Sequence, residues 1–277
     1  MDIIEKRLLA TNWFTELRDK ICNEFTQIEQ EYSSDNAANF SFKKWQRPGG
    51  GGGIMGMMKG KVFEKVGVNI STVYGEFSEE AQKKIPGCEN NPNFWASGIS
   101  LVAHMHSPLV PAIHLNTRFI NTTKNWFGGG TDLNPAILNK TDVKEFHDKL
   151  KKCCDKFDKD YYPKYKKWCD EYFFIKHRNV ARGAGGIFYD YLDSDNFSAD
   201  FAFTQEVGKS FLEIYPKLVR KHMFEPFTEQ QKELQLIKRG LYAEFNLLYD
   251  RGTKFGLMTE GNVEAILMSL PPLAKWT

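Results

Sequence analysis

GISLVAHMHSPLVPAIHLNTRFI, residues 98–120, decides the fold. Period-two alternation over Gly98 to His106 puts Ser100, Val102, His104 and His106 on one strand face and Ile99, Leu101, Ala103 and Met105 on the other. The same alternation over Ala112 to Ile120 separates His114, Asn116 and Arg118 from Ile113, Leu115, Thr117 and Phe119. Ser107-Pro108-Leu109-Val110-Pro111 joins the two runs, so antiparallel pairing sets His104 and His114 on neighbouring strands. The apolar faces are fit to be core. The other faces hold imidazoles, a hydroxyl, an amide and a guanidinium. Such a set suits a ligand-binding or catalytic wall better than a merely solvated sheet surface.

Outward from this pair, Val68 to Tyr74 and Gly186 to Leu192 also read as strands. Residues 2–31 repeat apolar positions at helical spacing (Ile4, Leu8, Trp13, Leu17, Ile21, Phe25, Ile28) and read as one amphipathic helix. Thr141 to Lys176 is helical in pattern, with Pro163 opening a second helix near its first turn. Phe197 to His222 and Glu229 to Lys238 read as further helices, and Leu241 to Asp250 with Lys254 to Thr259 as a hairpin about Asp250-Arg251-Gly252. In that hairpin Glu244, Asn246 and Asp250 would share a face. Arg47-Pro48 and the five glycines 49–53 read as a mobile loop or lid, neither helix nor regular strand. Strands cluster and helices cluster, so the reading is α+β: a large, mainly antiparallel sheet flanked by helices, one domain over 1–277 with 1–40 a helix and polar break.

Composition excludes several classes. Lys and Arg number 37 against 35 Asp and Glu, a net +2, which argues against a dedicated nucleic-acid binder. No apolar run is long enough to span a bilayer, and the N-terminus has no signal-peptide pattern. Five cysteines, an odd number without a Cys-x-x-Cys pair, suit a reducing, cytoplasmic setting. At 14% aromatic, the chain has rings to spare for a ligand cleft after filling a core.

The glycine run is not a phosphate loop, because Gly60-Lys61 is followed by Val62 and Met55 stands where the first glycine is needed. Nucleophilic chemistry has no support, since no Gly-x-Ser-x-Gly elbow occurs. Gly128-Gly129-Gly130 allows close backbone approach and presents Asp132. His104, His114, His147 and His177 could supply imidazoles to a metal, but their spacing does not demand one. His222 reads as a helix-end partner of the dipole.

In order along the chain stand GKVFEKVGVNIS, ASGISLVAHMHSP, PAIHLNTRF, WFGGGTDLNP, YYPKYKKWCDEYFFIKHRNVARGAGGIFYDYL, RGLYAEFNLLYDRGTKFGL and AILMSLPPLAKW. From about Arg47 to Trp276 the chain resembles oxygen-dependent coproporphyrinogen III oxidases. The resemblance implies a homodimeric enzyme that converts two propionates of coproporphyrinogen III to vinyls, giving protoporphyrinogen IX in haem biosynthesis, with O2 as acceptor and CO2 and H2O2 released. It implies no organic cofactor and leaves a divalent metal open. It places the proton donor on His114 and the cleft aspartates on Asp132 and Asp250, able to accept from pyrrole N–H. Substrate contacts fall on Ser100, Asn116, Thr117, Arg118, Arg251, Glu260, Gly261 and Asn262, metal ligands on His104, His114, His147 and His177, and a dimerisation stretch on 242–277. Arg118, with Arg251 and Arg182, would hold propionates. The chain departs from the family pattern in Ile54 to Lys59, at Val180, and at Glu260-Gly261-Asn262, where a cation usual in the family is absent. A metallohydrolase and a tetrapyrrole binder without turnover are the rival readings.

Overall fold

The computed structural model describes residues 1–35, 37–258 and 261–276. It opens with helix α1 (Ile3–Tyr32), whose first turn is closed by a capping box between Asp2 and Glu5. Strands β1 (Ser41–Gln46), β2 (Gly51–Met58), β3 (Phe63–Glu76), β4 (Asn93–Met105), β5 (Ala112–Asn121) and β6 (Asn125–Asn134) follow, with a short helix α2 (Glu79–Gln82) between β3 and β4. Next come α3 (Lys140–Asp155), α4 (Tyr161–Tyr172), a small ribbon of β7 (Phe174–Ile175) and β8 (Val180–Ala181), and β9 (Gly185–Leu192). Helices α5 (Phe197–His222), α6 (Glu229–Leu248), α7 (Arg251–Met258) and α8 (Val263–Leu267) complete the chain. The main sheet has seven strands in the order β1-β2-β3-β4-β5-β6-β9, every neighbouring pair antiparallel. The α+β reading and the pair 98–120 match it, and Pro163 lies in the first turn of α4 as expected. That helix ends at Tyr172 and Phe174–Ile175 is strand, so the helical span stops short of Lys176.

The odd residues of β4 and β5 form the core face. Ile99, Leu101, Ile113, Leu115 and Phe119 are 0–1% exposed and pack with Phe14, Leu17, Ile21 and Phe25 of α1 and Phe203, Val207 and Phe211 of α5. Each buried aliphatic or phenyl side chain contributes about 1.5–3 kcal/mol. One polar anchor fixes α1 over the sheet. The Glu29 carboxylate, 1% exposed, accepts the backbone N–H groups of Lys61 (2.7 Å), Val62 (2.9 Å) and Phe63 (2.7 Å) where β3 begins.

Two expectations are overturned. The glycine run is largely strand: β2 starts at Gly51 and pairs with β1 on one side and β3 on the other. The conformational entropy that glycine loses there is offset by two ladders of hydrogen bonds, and bareness is useful, since a Cβ on Gly53 would lie 2.5 Å from the Trp45 ring. The C-terminal hairpin is helix. Gln235, Arg239, Tyr242, Ala243 and Asn246 repeat at helical spacing and are buried, carrying α6 through Leu248. Asp250 begins α7: its Oδ2 accepts the Thr253 N–H at 2.6 Å, as an N-cap does, so Asp250-Arg251-Gly252 is a helix start and not a hairpin turn. Glu244, Asn246 and Asp250 therefore share no strand face, and Thr259 lies outside the described residues.

Replacing Glu29 by Ala orphans three backbone donors under α1, so Glu29→Ala should lower unfolding free energy by about 3 kcal/mol or more in urea titration. A loss below about 1 kcal/mol would show that water replaces the carboxylate without cost.

Candidate active site

The even residues of β4 and β5 face away from α1 and α5 into a cleft of about 480 Å³. Register builds this face in rows. One runs Trp45, Gly53, Ser71, Gly98, Arg118, Gly128 from β1 to β6. The next runs Met55, Asn69, Ser100, Asn116, Gly130, Phe188 from β2 to β9. A third holds Val102, His114, Asp132 and Gly186. Glycines alternate with side chains in these rows, so the floor is flat in places and polar in others. Helices α7 and α8 border the cleft opposite, supplying Phe255, Ala265 and Ile266.

His114 lines the cleft with its side chain 20% exposed, and its Nδ1 stands 2.9 Å from Asp132 Oδ1. Asp132 is 1% exposed and fully engaged: Arg182 Nη2 donates to both its oxygens (2.9 and 2.7 Å) and Asn134 Nδ2 to Oδ2 (2.9 Å). Burial alone would push the Asp132 carboxyl up, yet the Arg182 charge and the His114 hydrogen bond hold it down at about 2. The Arg182 guanidinium is wedged among the rings of Phe173, Tyr242 and Phe245, 3.9, 4.6 and 4.7 Å from their centroids. An ionised carboxylate at Nδ1 favours the tautomer with its hydrogen there and leaves Nε2 without a partner among the described residues. Asp132 thus orients His114 from behind and is not among the residues that line the cleft. Arg182 neutralises Asp132, with its side chain 2% exposed at the edge of the cleft.

Beyond His114, Arg118 Nη1 donates to Asn116 Oδ1 (2.9 Å) and its Nη2 lies 2.8 Å from Asp190 Oδ2. Arg251 sits over the Tyr172 ring at 5.1 Å, and Tyr172 donates its hydroxyl to Asp250 Oδ1 at 3.0 Å. Ser100, Asn116, Arg118, Asp250, Arg251, Gly261 and Asn262 all line the cleft. Asn262 is also the N-cap of α8, accepting from Ala265 N–H. Thr117 does not join them: its side chain is 0% exposed on the core face, as alternation demands. Glu260 lies outside the described residues. Sequence reading missed Asp190, Asn134, Tyr172 and Trp45. Alternation along β9 and β6 would have found the first two; nothing local marks the others.

The four histidines are separate. His104, 1% exposed, stands 2.9 Å from the Ser269 carbonyl, and burial pushes its imidazole down to about 3, keeping it neutral. His147 engages Ala184 O (3.0 Å) and the Tyr162 hydroxyl (3.0 Å). His177 engages Tyr249 (2.8 Å) and Glu244 (2.6 Å). Among the described residues no three His, Cys, Asp or Glu side chains are grouped to hold a metal ion, so these four do not fit the ligand set that the resemblance implies. His222 Nε2 lies 2.6 Å from Oδ2 of the buried Asp142, a structural hydrogen bond and not a dipole partner alone.

A family model described as coproporphyrinogen III oxidase matches residues 10–277. The chain belongs to the coproporphyrinogen III oxidase family. Among curated members of this family, a Rickettsia felis protein named oxygen-dependent coproporphyrinogen-III oxidase is 62% identical over 276 residues, 99% of each chain. Proteins of the same name from Rickettsia akari and Rickettsia bellii are 61% and 60% identical, covering 99% and 98% of this chain and 99% of each relative. Within the coproporphyrinogen III oxidase fold, His114, Asn116 and Arg118 stand side by side on one strand.

The depressed Asp132 pKa makes a pH prediction. Because the folded value, about 2, lies below the ordinary 3.8, the group's stabilisation is present above about pH 4 and is lost as pH falls toward 2. Asp132→Asn, which also strands the buried Arg182 charge, should cost about 3–5 kcal/mol at pH 7 and flatten the acid limb of the stability curve. Parallel acid limbs in the two proteins would contradict the assignment.

Proposed function

We propose that this chain catalyses the oxygen-dependent oxidative decarboxylation of coproporphyrinogen III to protoporphyrinogen IX in haem biosynthesis. The carrying observation is near-full-length identity of about 60% to relatives bearing that name, joined to a cleft that sets a partly exposed imidazole beside guanidinium groups. For each reacting propionate, –CH2–CH2–COO⁻ with a proton and O2 gives –CH=CH2, CO2 and H2O2. A β-carbon C–H bond and the bond to the carboxylate break, and an electron pair ends on oxygen. The reduced pyrrole is electron-rich enough to reach O2 directly, so we assign no organic cofactor and no step to a metal.

Arg118 holds a propionate by charge-assisted hydrogen bonds, and Arg251 at the start of α7 approaches the same region. Ser100 and Asn116, on neighbouring strands, offer a hydroxyl and an amide to the macrocycle. His114 Nε2 moves the proton, the ring held in place by the Asp132 carboxylate behind it. Asp250 lines the cleft and can meet pyrrole N–H groups. A cytoplasmic homodimer completes the reading. Five buried, unbridged cysteines suit a reducing compartment, and Leu247 and Leu248, each 50% exposed at the end of α6, suit a subunit contact. No helix among the described residues is long and apolar enough to cross a membrane.

Anaerobic mixing with coproporphyrinogen III, then admission of air, should yield protoporphyrinogen with two equivalents each of CO2 and H2O2. Binding without oxygen uptake would select a tetrapyrrole carrier instead. His114→Ala should lower kcat about 10²- to 10⁴-fold with the fold intact by circular dichroism. Arg118→Ala should raise KM, because a desolvated carboxylate loses a partner worth about 2–5 kcal/mol. Unchanged kinetics in either variant removes that residue from the site.

A further inference from the structure

Asp190 has no part in the steps above, yet several features of the fold converge on it. It projects from β9 onto the cleft face with 8% of its side chain exposed. Its Oδ2 lies 2.8 Å from Arg118 Nη2 and 3.5 Å from Arg251 Nη2. Across the pair, on β6, stands Gly128, where a Cβ would lie 2.5 Å from Asp190 Oδ1 and 3.0 Å from Arg118 Cζ. The residue after it, Tyr191, adopts φ +54°, a left-handed conformation that side chains seldom take, and its N–H donates to Asp190 Oδ1 at 3.1 Å.

Two guanidinium groups repel, and a carboxylate between them is what holds both toward one point. Arg118, Asp190 and Arg251 together carry one net positive charge, the complement of a single carboxylate. Arg118 is held from its other side by Asn116, so its planar fork has a fixed direction. Arg251, whose side chain is 52% exposed, is drawn toward the sheet by its ion pair with Asp190.

We propose that Asp190 is a positioning residue that sets Arg118 and Arg251 as one forked subsite for a single carboxylate of the substrate. The proposal rests on the reading that the cleft takes a polycarboxylate tetrapyrrole. Asp190 touches no reacting atom. It acts through the arginines, and Gly128 is the space that lets it do so.

The test compares equilibrium binding of coproporphyrin III, the fully oxidised macrocycle with no electrons to give O2, with binding of its uncharged tetramethyl ester. Asp190→Asn removes the charge, whereas Gly128→Ala keeps it and forces the pair apart. Both variants should weaken binding of the acid about tenfold and leave the ester within about twofold of wild type, the loss of one charge-assisted hydrogen bond. KM for coproporphyrinogen III should rise by about the same factor with kcat changed less than about threefold. Acid affinity that is unchanged or tighter in Asp190→Asn would overturn the proposal, Asp190 then being a counter-ion that substrate displaces. A parallel loss for acid and ester would overturn it too, showing a merely structural role. Wild-type protein that binds the acid but never consumes O2 would refute the reading of the reaction, while the acid-against-ester comparison would still decide the part of Asp190. Wild-type protein that binds neither compound would refute both.

Discussion

A guanidinium buried among three aromatic rings has only one way to stay charged at little cost, and that is an ionised partner held against it. Arg182 and Asp132 satisfy each other in this way, with side chains 2% and 1% exposed. The pair joins three pieces of the chain: β6 through Asp132, the segment leaving the β7–β8 ribbon through Arg182, and α6 through Tyr242 and Phe245. His114 then inherits its orientation from Asp132. Removing either charge would strand the other, so the imidazole's geometry and the docking of α6 depend on the same ion pair.

The aromatic content finds its place around that pair. Phe173, Phe188, Tyr172 and Phe245 form a second cluster apart from the main core, with Tyr172 and Phe188 stacked 4.5 Å apart and nearly parallel. Arg251 lies over both rings, so the cluster serves as a platform for a cation at the cleft wall as well as packing. The low-dielectric wall strengthens the electrostatic contacts made beside it.

Most of the sheet was legible because period two is a local signal. Alternation separated His114, Asn116 and Arg118 from Ile113, Leu115 and Phe119, and the structure sets them on opposite faces. Alternation also placed Thr117 on the core side, against the contact that family resemblance suggested. What failed depended on partners distant in sequence. Glycine's local cost argued against a strand at 51–53, and only pairing with β1 and β3 on either side outweighs that cost. The helix through Tyr242 was misread because Leu241 to Asp250 is short, rich in aromatics and followed by a turn-like Asp-Arg-Gly. The histidines could be counted but not gathered, since nothing in the spacing of His104, His147 and His177 reveals that each is satisfied by a different carbonyl, hydroxyl or carboxylate.

The order in which the sheet's strands are laid down bears on how the site assembles in time. His114 and Asp132 are 18 residues apart and meet when one hairpin closes. Arg182 must return across 50 residues to reach the same carboxylate, which raises the loop-closure cost by about 1 kcal/mol. The imidazole–carboxylate contact is therefore the topologically near half of the site and the guanidinium the far half. Where sequence separation governs the rate, the carboxylate meets the imidazole more readily than the cation that keeps it ionised. By sequence separation alone, the pocket is complete only when the segment carrying Arg182 and helix α6 have joined the strands that carry the imidazole.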